Sequence, residues 1–79
     1  MAYRLVQLAA GSYDLELDGE LIGGVVRMEL RDRDVWFAEL LQALPSPLRP
    51  TPFTALEHEF PSFGDVLAWL GHPEVRSRA

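Results

Sequence analysis

Tyr13, Leu15 and Leu17 alternate with Asp14, Glu16 and Asp18, the period of two shown by a strand with one packed and one wet face. Asp18-Gly19 follows. Both residues accept the positive φ angles of a type I′ turn, so the pattern predicts a hairpin. Closing that turn sets Leu17 opposite Glu20, Glu16 opposite Leu21 and Leu15 opposite Ile22. The expected packed face then carries Tyr13, Leu15, Leu17, Ile22, Gly24, Val26 and Met28. Leu21, Gly23, Val25 and Arg27 go to the other face with Asp14 and Glu16. Gly23-Gly24 interrupts the second strand, where glycine marks a bulge or a close approach by another backbone. Its spacing matches neither of the common phosphate-binding loops.

Tyr3 to Leu8 reads as an earlier strand, turned by Ala10-Gly11-Ser12. Val35-Trp36-Phe37-Ala38 is β-branched and aromatic, which favours a strand. Phe37, Leu40, Leu41 and Leu44 also keep helical spacing, with Asp34 as a cap. A strand over about 35–40 is preferred, because a meander supplies its pairing partner. Pro45, Pro47, Pro50 and Pro52 exclude regular structure from the next stretch, since each removes a donor and biases its predecessor to extended geometry. A short extended segment is expected within 54–60. Ser62-Phe63-Gly64-Asp65 reads as a capping box, with Asp65 reaching back to the serine amide. Phe63, Val66, Leu67 and Leu70 then form an apolar stripe, and Gly71 and Pro73 stop the helix. The expected fold class is α+β: a small antiparallel meander of three to four strands with one C-terminal helix packed on one face. Residues 1–73 make one domain and 74–79 a frayed tail. This element order is similar to the three-stranded-sheet-plus-helix modules of some plant transcription factors and of integrase arm-binding domains. The likeness is of order only, and it implies no site residues.

Composition narrows the chemistry. The 79 residues include no cysteine and no lysine, which excludes thiol and Schiff-base catalysis, disulfides and thiolate metal sites. A formal charge of −5 opposes broad phosphate neutralisation and docking on anionic lipid. Apolar runs are far shorter than the ~20 residues of a membrane-spanning helix, so no membrane contact is expected. No continuous apolar leader is visible either, and a cytoplasmic setting is the default. No catalytic residues are assigned: the serines have turn or cap roles, and no nucleophile elbow surrounds them. No metal or other cofactor is expected. In Glu57-His58-Glu59 the histidine points away from its neighbours if the segment is extended.

Apolar surplus is the most informative feature. One short helix covers one sheet face, leaving Leu21, Val25, Val35, Trp36 and Phe37 as the candidate partner interface, unless the loop around Phe53 covers them. The reading that follows is a non-enzymatic module that binds protein, either a second copy or a larger partner. An alternative is nucleic-acid binding through Arg27, Arg31 and Arg33, although Glu29, Asp32 and Asp34 sit among them. Another is an acidic patch, Asp14, Glu16, Asp18 and Glu20, that engages a basic partner or imitates a phosphate backbone. Pro47-Leu48-Arg49-Pro50 also has the spacing of a polyproline ligand, a short and common pattern.

Overall fold

A computed structural model describes residues 2–77. Its strands are β1 (Tyr3–Ala9), β2 (Ser12–Leu17), β3 (Glu20–Glu29), β4 (Asp34–Leu40), β5 (Glu57–Phe60) and β6 (Glu74–Ser77), with the helix α1 (Phe63–Trp69) before β6. The hairpin turn forms where the alternation places it, with φ of 52° at Asp18 and 84° at Gly19. Leu17 pairs with Glu20 and Glu16 with Leu21, as expected. The next pair is Leu15 with Gly23, because Ile22 is an extra residue in the ladder.

That bulge corrects the face assignment of everything beyond it. Tyr13 lies opposite Val25, and Ser12 opposite Val26. Val25, expected on the outer face, is fully buried beside Leu5 and Leu15. Val26 and Met28, expected inside, go to the outer face. A side-chain period of two means that one inserted residue turns over all that follow.

The sheet is also larger than the expected meander. It has six strands in the order β5-β4-β3-β2-β1-β6. Neighbours are antiparallel, except that β6 runs parallel to β1. β5 forms within the extended segment expected over 54–60, whereas β6 was not separable from a tail by local pattern. β5 extends the meander at one edge. Residues 74–77, expected as a frayed tail, return past α1 to the opposite edge, where Arg4 pairs with Glu74 and Gln7 with Ser77. The remaining tail residues, 78–79, lie outside the described residues. A three-stranded likeness therefore does not hold. Between Asp34 and Leu40 the strand reading prevails over the helical one, since the whole segment pairs with β3.

Leu5, Leu15, Val25, Ala38, Phe53, Val66 and Leu70 form the core on the helix side of the sheet. Ser62 caps α1: its hydroxyl accepts from the Asp65 amide at 3.1 Å and donates to the Asp65 carboxylate at 2.9 Å. The carboxylate thus returns to the serine hydroxyl, where a return to the serine amide was expected. Phe63, at the start of the helix, stacks on Tyr13 at 4.7 Å and meets Trp36 at 4.8 Å. Trp69, at its end, is ringed by Phe53, His58 and Phe60 at 4.8, 4.8 and 5.0 Å.

The proline-rich loop lies on this same side. Phe53 inserts into the core, Arg49 donates to the Leu44 and Thr54 carbonyls, and the Tyr3 hydroxyl donates to the Thr51 carbonyl at 2.6 Å. Burial pushes the Tyr3 phenol above its ordinary value of 10.0. A phenol raised in the folded state contributes stability that is complete below the unfolded value and lost as pH rises through the folded one. Tyr3→Phe is therefore expected to cost about 0.5–1 kcal/mol at neutral pH. Urea titrations should show the gap from wild type closing above about pH 10, as the wild-type hydroxyl gives up its proton.

Candidate functional site

Direct cross-strand partners share a face, so register places each paired side chain. On the face away from α1, one line across the sheet reads Glu57, Glu39, Gly24, Asp14, Val6 and Arg76. The adjacent line reads Glu59, Phe37, Val26 and Ser12, and beyond it Met28 pairs with Val35. Val6, Val26 and Phe37 are half-buried, while Met28 is 50% exposed. The face is thus an apolar band bordered by carboxylates. Among the described residues, none of Glu39, Glu57 and Glu59 is in an ion pair.

The five residues expected to form an interface do not converge. Val25 is in the core, and Trp36 packs under Phe63 on the helix side. Val35 is 3% exposed and stands outside the main core cluster. Phe37 lies within the apolar band, and Val35 is on the same face as the direct partner of Met28. Leu21 is 49% exposed and lines a hollow of about 120 Å³ with Ile22, Leu40, Leu41 and Leu44. Most of the aromatic surplus is absorbed by α1 and the loop. Val6, Val26, Met28 and the glutamates of β4 and β5 were missed as a group. The signal for Val26 and Met28 was the glycine pair, read with the extra residue at Ile22.

The arginines are dispersed. Arg27 lies on the helix side with Trp36 and reaches Glu29 at 3.4 Å. Arg31 and Arg33 are exposed, in the turn that the Leu30 amide closes by donating to the Arg33 carbonyl. The acidic group divides as well. Glu16 takes Nε of Arg4 at 2.9 Å, and Nη2 of the same guanidinium donates to that oxygen. The contact and its charge hold the Arg4 guanidinium above its usual value. Asp18 accepts from the Ala2 amide at 2.7 Å and so fastens the start of β1 to the hairpin turn. Glu20 is exposed at the turn.

His58 has a structural occupation: its Nε2 accepts from the Thr54 and Ala55 amides, each at 3.2 Å. Glu57 and Glu59 point to the opposite face, as an extended segment requires. Among the described residues, no three metal-capable side chains gather. The hollow near Leu21 and a broader surface dish of about 390 Å³ over Ala2, Tyr3, Arg4, Asp18, Gly19 and Glu74 have neither serine nor histidine in their walls. No described helix is long and apolar enough to cross a membrane. Compared with protein-family models, curated proteins and solved structures, the chain matches none of them.

Proposed function

We propose that this is a small non-enzymatic interaction module whose helix-free sheet face docks on a protein partner. One observation carries the reading: Val6, Val26, Met28 and Phe37 share a face that neither α1 nor the proline-rich loop covers. Extended apolar surface of this kind is favourable to bury and uncommon where nothing binds. The bordering Glu39, Glu57 and Glu59 define the partner's chemistry. Two copies meeting face to face would set one acidic surface against another. The face therefore fits a different chain that brings basic groups beside apolar ones. A chain without cysteine gives no sign of an oxidising compartment, and we take the cytoplasm as its setting. No observation favours nucleic acid, since Arg27, Arg31 and Arg33 do not converge on this face.

A photoreactive residue in place of Phe37, compared with one in place of exposed Ala68 on α1, tests the reading in native cells. Discrete protein adducts are expected from position 37 alone, and Glu39→Lys with Glu57→Lys should abolish them. Equal adducts from both positions, or none from either, overturn it.

A further inference from the structure

The two edges of the sheet differ in what they permit, and we propose that β6 is a self-pairing edge that joins two copies of this chain into one continuous sheet. Both edge strands present unpaired backbone groups, the feature by which sheets add strands. A two-fold axis perpendicular to the sheet keeps each helix on the same side and makes the joined strands antiparallel. Because opposed residues must point to the same face, that axis has to pass beside a residue that meets its own copy. The inner positions of β6 leave Val75 or Arg76 as that centre. Centring on Arg76 would oppose two guanidiniums. Centring on Val75 sets Glu74 opposite the second copy's Arg76, and Arg76 opposite its Glu74.

The Val75 register also continues an existing charge ladder. Glu16, Arg4 and Glu74 already lie in one line across β2, β1 and β6, with Glu16 bound to Arg4. The second copy's Arg76 would extend the alternation by one strand, and opposite charges directly across a sheet stabilise it. In the single chain Arg76 instead folds back on its own Glu74 at 2.6 Å, with both side chains more than half exposed, so it is free to exchange. Val75, 42% exposed on the helix side, would be covered by its own copy. At the other edge the same symmetry fails. A β5 pair centred on His58 opposes Glu57 to Glu59, and one centred on Glu59 opposes that carboxylate to itself. Like charges directly opposed are unfavourable. Closure at β6 with refusal at β5 yields a dimer and not a fibre.

One short strand makes a weak contact, so sedimentation equilibrium should run from about 10 μM to about 1 mM. Wild type is expected to dimerise within that range. Glu74→Arg and Arg76→Glu should each weaken dimerisation about tenfold or more, as two attractive pairs become two repulsive ones. Mixing the two variants should restore association, now as a heterodimer, to near the wild-type level. That rescue separates charge pairing from a variant that merely loosens β6. A wild type monomeric throughout, an unchanged dissociation constant in both variants, or a mixture no tighter than its parts overturns the proposal. Adducts from position 37 should persist in Arg76→Glu, so edge pairing and face docking are read independently.

Discussion

Gly23→Ala is expected to lose about 3 kcal/mol or more, a large share of the roughly 4–12 kcal/mol available to a chain of this length. A methyl built on Gly23 would lie 2.0 Å from the Glu39 carbonyl oxygen and 3.3 Å from the Leu40 Cα. Those atoms belong to the backbone of β4, which is paired to β3 along its whole length, and they cannot move without breaking the ladder. The neighbouring glycine supplies the control. At Gly24 the same methyl meets one atom, the Tyr13 carbonyl oxygen, at 3.4 Å. Gly24→Ala should therefore be near neutral, because relief of glycine's entropy cost in a strand offsets a mild contact. Urea denaturation of the pair decides the matter. Equal losses would mean that the close approach of β4 does not govern this position.

Leu15→Ala is the second large effect, expected at about 2–5 kcal/mol. Leu15 is fully buried, with Leu5 opposite it on β1 and the side-chain-free Gly23 opposite it on β3. Nothing at Gly23 can swing in to fill the space, and the surrounding strands hold their register. Leu21, in the same hairpin, is 49% exposed, and Leu21→Ala should cost no more than about 0.5 kcal/mol. Thermal melts comparing the two leucines test which side of the hairpin the core occupies. A larger loss at Leu21 would contradict the placement of the core on the Leu15 side.

The glycine contrast turns on one residue, Ile22, that the local pattern could not place. Val35, Trp36 and Phe37 show the difference between what is near in sequence and what shares a surface. Trp36 faces α1, while its two neighbours face the other way. Correct assignment of the strand was not enough to group them, because grouping depends on cross-strand partners. For β3 those partners shift at Ile22.

Taken alone, the amino-acid order determined what arises from neighbours. Asp18-Gly19 takes the positive φ angles of its turn, Ser62 caps the helix, Gly71 ends it with φ of 84°, and the residues around Trp36 form a strand. Each follows from the steric or hydrogen-bonding preference of a few adjacent residues. Only the tertiary structure decided the rest. It selected Ile22 as the extra residue, because β4 passes too close for any side chain at the next position. It recruited Glu57–Phe60 and Glu74–Ser77 as edge strands, since four residues gain stable strand geometry only from a partner far away in the chain. It also carried Phe53 to the helix side, and thereby left the opposite face of the sheet without a cover.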